Sequence, residues 1–282
     1  MTWLLGDRSL DFGAGMRIMG ILNATPDSFF DGGRHSDPGA AVERGLQMVE
    51  EGADIVDIGG ESSRPPVYGE VCEVSEEEEC GRVVPVVTEL RRQSDVPISV
   101  DTVKAEVARR ALDAGADIVN DISALSADPQ MAGVAAERGA PVILMHRRGS
   151  PATMQRNTKY ADLLGEIRDY LADRVEAART AGIGEDRIAV DPGIGFGKSI
   201  EGNLRLIHHL EFFAELGYPV LVGASRKSFI WKTLGLGPEG GLEGSLAVAV
   251  VCALKEVHML RVHDVEATVR AVRMAEAVIH VG

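Results

Sequence analysis

Polar residues of a few types recur at the ends of short apolar segments or shortly after them, and these types suit the binding of a polar, anionic small molecule. They are Asn23, Arg64, Asp101, Asn120, Asp191, Lys227, Arg261 and His263. A carboxylate such as Asp101 or Asp191 can accept paired hydrogen bonds from a planar amidine-like edge. A local cluster of Lys, Arg and His attracts phosphate or carboxylate groups even in an acidic protein. We therefore predict one small-molecule site built from these residues.

Each residue also has an ordinary structural explanation. Asp after a strand commonly caps a helix or forms a turn, and this applies to Asp101 and Asp191. Arg64 taken alone could also be a solvated arginine on a loop, and His263 taken alone does not distinguish a binding residue from a structural one. The ordinary explanation is weaker for the whole set, because all eight apolar segments end in polar residues.

The apolar segments are the elements that must position these side chains. They alternate with stretches of helix length and cover residues 16–22, 54–58, 97–100, 117–119, 142–145, 187–190, 220–222 and 259–262. Nearly continuous Val, Ile and Leu is typical of parallel strands that are covered on both faces. Eight βα repeats predict an α/β fold of the (β/α)8 TIM-barrel class, in which the loops after the strands form the active site.

Local signals place the helix ends and the domain limits. Ser75 with Glu78 has the capping-box pattern, Asp128 and Pro129 predict a helix that begins at the proline, and helices are expected to stop at Gly52, Gly115 and Gly182. We predict one domain over residues 1–282. Within it, residues 1–15 form a hairpin that turns at Gly6 and Asp7 and plugs the bottom of the barrel formed by residues 16–282.

Composition disfavours several classes of protein. The net charge of −14 repels nucleic acid, and no apolar run is long enough to cross a membrane. Cys72, Cys80 and Cys252 are scattered and lack C-x-x-C spacing, so we predict reduced thiols rather than a disulfide framework or a zinc site. These features predict a cytoplasmic protein with no nucleic-acid or membrane partner.

Two motifs suggest chemistry that their context does not support. Residues 193–199 end in Gly-Lys-Ser like a Walker A loop, but the required glycine falls at Pro192, which has no N–H to offer a phosphate. The acidic run at 73–79 is more typical of a solvated helix start than of a metal site. We therefore predict neither an NTPase nor a metal centre from these motifs.

The segments after the strands resemble those of dihydropteroate synthases, in chain order, from Met16 to Ala277. The matching segments are 21–29 with 31–33, 57–65, 99–102, 119–121, 144–146, 191–198, 223–228 and 261–265. The resemblance implies a transferase of folate synthesis that joins 6-hydroxymethyl-7,8-dihydropterin diphosphate to p-aminobenzoate and releases pyrophosphate. It also implies a Mg2+ cofactor and a homodimer formed through the last helices, near residues 267–278.

Carried over to this chain, the resemblance implies a role for each matching residue. The pterin ring would be bound by Asp101, Asn120, Asp191 and Lys227, with Met145 and Phe196 packed against it. The diphosphate would contact Asn23, Arg64, Arg261 and His263, and Asn23 would also contact the Mg2+. p-Aminobenzoate would contact Ser63, Pro65 and Ser228, beneath a closing loop that contains Phe29 and Asp31. The residues assigned to catalysis are Asp101, Asp191, Lys227, Arg261 and His263.

Departures from the family pattern fall near the loops. Ala24 replaces a usual valine, Phe30 a usual serine and Pro66 a usual glycine, which bears on loop closure and on sulfonamide sensitivity. Two other functions stay open: a corrinoid-dependent methyltetrahydrofolate methyltransferase, and a catalytically silent pterin-binding paralogue. The segments 225–228 and 261–263 favour the synthase over the methyltransferase, which needs no diphosphate site.

Overall fold

The computed structural model of the protein describes residues 1–6, 8–25, 38–61, 74–149, 153–154 and 157–281. Five residues of the predicted site lie outside the described residues: Phe29, Asp31, Ser63, Arg64 and Pro65. Asp7, Phe30, Pro66 and Cys72 also lie outside them.

Eight parallel strands form a barrel, and an antiparallel hairpin precedes it. The hairpin consists of β1 (Thr2–Leu5) and β2 (Arg8–Asp11). The barrel strands are β3 (Arg17–Asn23), β4 (Ile55–Gly59), β5 (Ile98–Asp101), β6 (Ile118–Asp121), β7 (Val142–Met145), β8 (Ile188–Asp191), β9 (Leu221–Val222) and β10 (Met259–Val262). They follow chain order around the barrel, β10 pairs with β3, and a parallel bridge between Val190 and Val220 joins β8 to the start of β9. The predicted (β/α)8 class is confirmed.

Helices cover the outside of the barrel. The described helices are α1 (Pro38–Glu50), α2 (Glu76–Gln93), α3 (Ala105–Asp113), α4 (Met131–Glu137), α5 (Leu163–Thr180), α6 (Ile200–His208), α7 (Glu211–Ala214), α8 (Ser228–Thr233), α9 (Leu242–Leu254) and α10 (Val265–Ile279). Their buried faces share one core with the outward-facing strand residues, as Leu90 of α2 does with Leu22 of β3. Among the described residues, this shell covers the sides of the barrel and leaves its two ends accessible to ligands or loops.

The lower end of the barrel interior is apolar. Trp3 and Leu5 of β1 are buried there against one inward residue from each of seven strands: Met19, Ile55, Ile118, Ile143, Ala189, Leu221 and Met259. The hairpin therefore plugs the bottom of the barrel, as predicted. Gly6, whose φ of +61° suits a tight turn, follows β1 directly.

Side chains alternate along a strand, so the residue two positions later also points inward. In the same strands or directly after them, this next level of the interior contains Ile21, Asp57, Asn120, Met145, Asp191, Gly223 and Arg261, of which four are polar. The strand register brings these ends together, with Asp101 opposite Asn120 and Met145 opposite Asp191. The sheet thus changes from apolar to polar within one repeat of two residues.

The helix-end predictions have mixed outcomes. Ser75 does cap α2, since its hydroxyl accepts a hydrogen bond from the Glu78 N–H at 3.2 Å. The predicted stops at Gly52, Gly115 and Gly182 are confirmed, with φ of +100°, +111° and +98°. The predicted helix start at Pro129 is wrong, because α4 begins at Met131. The Asp128 carboxylate instead accepts from the N–H groups of Ala105 and Gln130, which holds this segment as a turn between two helices.

Two further features concern the described part of the chain only. Cys80 and Cys252 are buried free thiols. No helix among the described residues has the length and apolar character needed to cross a bilayer.

Candidate active site

A cavity of about 310 Å³ opens at the upper end of the barrel, where the polar strand ends meet. The structure brings together at this cavity all the predicted site residues that it describes: Asn23, Asp101, Asn120, Met145, Asp191, Phe196, Lys227, Ser228, Arg261 and His263. These residues come from six strands and from segments that follow β8, β9 and β10, so the convergence depends on closure of the barrel.

The floor of the cavity is a group of buried and half-buried charged and polar side chains that we call the polar layer: Asp57, Asp101, Asn120, Asp191 and Arg261. Arg261 joins it together, because its Nε donates to Asp57 and one Nη donates to Asp101, both at 2.6 Å. Burial alone would lower the pKa of Arg261, but the carboxylates of Asp57 and Asp101 raise that pKa above its ordinary value. The guanidinium therefore stays charged inside the barrel.

The two carboxylates predicted to bind a ring are both strongly affected by burial. Burial raises the pKa of Asp101 to about 7, against the opposing effect of Arg261 and with a further increase from Asp57. Burial also raises the pKa of Asp191, while Lys227 and a hydrogen bond from the Gly193 N–H at 2.6 Å oppose it. The site thus holds two carboxyl groups whose pKa values burial raises, and that of Asp101 reaches the neutral range.

Lys227 lies across the loop that follows β8. Its ammonium group donates to the Ile194 carbonyl and lies 4.4 Å from the centroid of the Phe196 ring. Burial lowers the pKa of Lys227 to about 8, although Asp191 acts in the opposite direction. Gly195 permits this arrangement, because a Cβ at that position would lie 2.8 Å from Cδ of Lys227.

One wall of the cavity is apolar. Ile122, Met145, Met154 and Phe196 form a small buried cluster, with Val103 packed against it. A flat ring between this wall and the polar layer would have its faces in apolar contact and its edge hydrogen-bonded. The cavity therefore suits a planar, polar heterocycle.

The rim carries the remaining predicted residues. Asn23 ends β3, and Ser228 begins α8. His263 Nδ1 lies 3.1 Å from the Ser225 hydroxyl, so the imidazole is held at the cavity edge. Arg226 is turned to Asp264 through two hydrogen bonds of 2.8 and 2.5 Å. The cations directed toward the cavity among the described residues thus come from Lys227, Arg261 and, when it is protonated, His263.

Sequence reasoning missed Asp57, which is fully buried and lies at the centre of the polar layer. The signal was present, since Asp57 follows the inward-facing Ile55 by two positions. It also missed Lys198 and His146. Lys198 Nζ contacts His146 Nδ1 at 2.9 Å and donates to the carbonyls of Gly193 and Phe196 at 2.8 and 2.9 Å.

The Lys198–His146 contact explains the Walker-like motif. Burial lowers the pKa of Lys198, and burial with the nearby Lys198 lowers the pKa of His146 to about 2. The imidazole is therefore neutral, and Lys198 ties the end of β7 to the loop after β8. In this chain the motif lysine faces carbonyl oxygens rather than an open phosphate site.

The interpretation of the acidic run at 73–79 as a solvated face is wrong for Glu79. This residue is 1% exposed, and its carboxylate accepts from Lys104 Nζ at 2.5 Å. Lys104 also donates to Glu61, which lines the cavity. The sequence around Glu79 cannot reveal its contact with Lys104, because Lys104 follows β5 whereas Glu79 lies in the helix that follows β4.

The chain is similar to known proteins in both sequence and structure. The sequence profile described as pterin binding enzyme matches residues 19–263. A dihydropteroate synthase of Synechocystis sp. is 45% identical over 274 residues, which cover 97% of this chain and 93% of the relative.

Two solved structures are similar along the whole chain. Xanthomonas albilineans dihydropteroate synthase with 4-aminobenzoic acid has a TM-score of 0.91 and 44% identity, with coverage of 100% of this chain and 99% of that chain. The dihydropteroate synthase from the same organism in complex with 7,8-dihydropteroate has a TM-score of 0.89 and 42% identity, with both chains covered in full.

The raised pKa of Asp101 predicts a specific pH dependence of stability. An unfolded aspartate ionises near its ordinary value of 3.8, whereas folded Asp101 keeps its proton up to about pH 7. The folded state therefore binds the extra proton, and its stability should fall as pH rises from about 4 to about 7. We expect Asp101→Asn to flatten this part of the curve in urea denaturation. Asp95→Asn, at an exposed position, is the matched control, and equal slopes for Asp101→Asn and wild type would refute the assignment.

Proposed function

This chain belongs to the pterin-binding enzyme family and has the dihydropteroate synthase activity of the relatives that it matches, and from that premise we propose that the upper cavity is the reaction site. The reaction joins 6-hydroxymethyl-7,8-dihydropterin diphosphate to p-aminobenzoate with release of pyrophosphate. The observation that carries the proposal is the polar layer facing an apolar wall within a cavity of about 310 Å³.

We propose that the pterin ring lies against this wall, with Met145 and Phe196 on its face. Asp101, Asn120, Asp191 and Lys227 would then hydrogen-bond to its edge. Buried carboxylates suit the amino and ring N–H groups of a pterin, because an amidine-like edge offers two parallel donors. Lys227 would add a donor for a ring acceptor and bring positive charge beside Asp191.

The diphosphate would extend from Arg261 in the polar layer toward His263 at the rim, where Arg64 is also expected. Ser228 would meet p-aminobenzoate, together with Ser63 and Pro65. Phe29 and Asp31 belong to the loop proposed to close over the site. Support for these assignments comes from the positions of Arg261, His263 and Ser228 around one cavity.

The proposed mechanism needs no side-chain nucleophile. The bond between the pterin methylene carbon and the diphosphate oxygen breaks, and the electron pair leaves with pyrophosphate. The amine nitrogen of p-aminobenzoate forms the new bond to that carbon and then releases a proton. The contribution of the protein is to hold the two reactants in line and to stabilise charge on the leaving group.

Asn23 is compatible with a Mg2+ ion that accompanies the diphosphate. It offers an amide oxygen at the cavity, and Mg2+ commonly combines one or two protein oxygens with substrate phosphates and water. The described residues contain no group of three or more His, Cys, Asp or Glu arranged to hold a metal. We propose that the ion arrives with the substrate, and its charge would stabilise the departing diphosphate.

We also propose a single domain, a homodimer and a cytoplasmic location for this protein. Residues 1–282 would form one domain, supported by the hairpin that is buried in the barrel end. A homodimer is supported by neighbouring helices α9 and α10, which expose Val251, Leu254, Met274 and Val278. The cytoplasmic location stays a prediction from the sequence.

The proposed function is tested by incubating the purified protein with dihydropterin diphosphate, p-aminobenzoate and Mg2+. We expect pyrophosphate and 7,8-dihydropteroate to form in equal amounts by mass spectrometry. If the protein binds the dihydropterin diphosphate but forms neither product, the silent pterin-binding paralogue replaces this proposal.

Lys227→Ala should lower kcat/KM for the pterin substrate by roughly 10- to 100-fold, the effect of losing one charged hydrogen bond. The fold should remain, as judged by circular dichroism. Lys232→Ala removes an exposed lysine of α8 and serves as the control with unchanged kinetics. Wild-type turnover in Lys227→Ala would overturn the assignment.

Removal of Mg2+ with a chelator should lower turnover, and added Mg2+ should restore it. Asn23→Ala should raise the Mg2+ concentration that gives half-maximal rate, because the proposed protein contact to the ion is lost. Both quantities come from steady-state rates over a Mg2+ titration. A rate that does not change between chelated and Mg2+-supplemented wild type would contradict the role of the ion.

A further inference from the structure

Asp57 connects two residues of the site from beneath. It is fully buried, and its carboxylate accepts from Arg261 Nε at 2.6 Å. The side-chain NH2 of Asn120 lies 3.3 and 3.4 Å from the same two carboxylate oxygens. Asp57 therefore faces a guanidinium on one side and an amide on the other.

This contact decides which way the Asn120 amide points. An ionised carboxylate can only accept hydrogen bonds, whereas an amide has a donating NH2 end and an accepting oxygen end. With the oxygen toward Asp57, two acceptors would be in contact within a buried layer, which is costly. The NH2 end must consequently face Asp57. The amide oxygen is then left for the cavity that Asn120 lines, and no described residue donates to it.

We propose that Asp57 is a positioning residue that fixes Asn120 as a hydrogen-bond acceptor for the substrate ring. This inference rests on the proposed function, since it assumes a pterin in the cavity. It also defines the ring that the site accepts, because the atom opposite Asn120 must carry an N–H. A ring with a lone pair there would meet an acceptor with another acceptor and would bind weakly.

The proposal predicts a reversal of polarity in Asp57→Asn. Arg261 Nε would still donate to the oxygen of the new amide, whose NH2 group would then face Asn120. Asn120 would have to turn its oxygen toward that group and its own NH2 into the cavity. The substrate N–H would meet a donor in place of an acceptor.

The double variant Asp57→Asn with Asn120→Asp restores the acceptor. The new carboxylate at position 120 would accept from the amide at position 57 with one oxygen and present the other to the ring. The total charge of the pair is unchanged from wild type. A purely structural role of Asp57 does not predict recovery of ligand affinity in this variant.

The experiment measures the Kd of 6-hydroxymethyl-7,8-dihydropterin diphosphate by calorimetry with the full-length protein. We expect Asp57→Asn to weaken binding by about 10- to 100-fold, the cost of one mismatched buried hydrogen bond. The double variant should recover at least about tenfold of that loss. KM for p-aminobenzoate should stay near the wild-type value in variants that turn over, and Asp95→Asn is the matched control.

The outcomes separate this inference from the proposed function. If wild type fails to bind the dihydropterin diphosphate, the proposed function falls. If wild type binds and the folded double variant binds no better than Asp57→Asn, only the role of Asp57 falls. Should the variants not fold, neutron diffraction of the deuterated wild-type complex locates the amide deuterons of Asn120. Deuterons directed at Asp57 support the proposal, and deuterons directed at the ring overturn it.

Discussion

The ion pair of Arg261 with Asp57, together with the hydrogen bond of Arg261 to Asp101, is the constraint on which the site depends. A guanidinium inside a barrel is costly unless carboxylates compensate it, and removal of one partner from a buried pair typically costs about 3–5 kcal/mol. The charge compensation involves three strands, because Asp57 lies on β4, Asp101 on β5 and Arg261 on β10. These three side chains can therefore meet at the floor of the cavity only if the strands pair in the correct register. Asp57 also accepts from the side-chain NH2 of Asn120, so the same carboxylate holds Asn120 at this level.

The lower level of the barrel interior stabilises the fold, and the upper level contains the residues of the site. The lower level, closed by Trp3 and Leu5, is apolar except for Ser99 of β5 and contributes hydrophobic stabilisation. The level above it contains buried charges, which an enzyme retains for function although apolar packing would be more stable. The two levels are only two residues apart on each strand. A rigid apolar base of this kind holds the polar groups in place for positional catalysis.

Much of the fold was predictable because its signals are local. Each apolar segment, each stop such as Gly115 and the cap at Ser75 depends on residues close in sequence. The polar strand ends were also predictable, since a barrel must bring them to one face. The contacts of Asp57, Lys198 and Glu79 were not predicted, because each partner comes from a different βα unit. Asp128 shows the same limit: its pattern predicts a helix cap, and a neighbouring helix start at Ala105 takes its carboxylate instead.

The loop after β8 has a consequence for how this protein can evolve. A side chain at Gly193 would place its Cβ 1.8 Å from the carbonyl oxygen of His146, and one at Gly195 would strike Lys227. Single amino-acid changes at these positions would displace Lys198 or Lys227. They would thereby change the part of the cavity that we propose binds the pterin ring. Natural variation that alters inhibitor response without loss of activity should consequently accumulate outside this loop. For an inhibitor that contacts only this part of the cavity, few substitutions should give resistance and still leave the protein active.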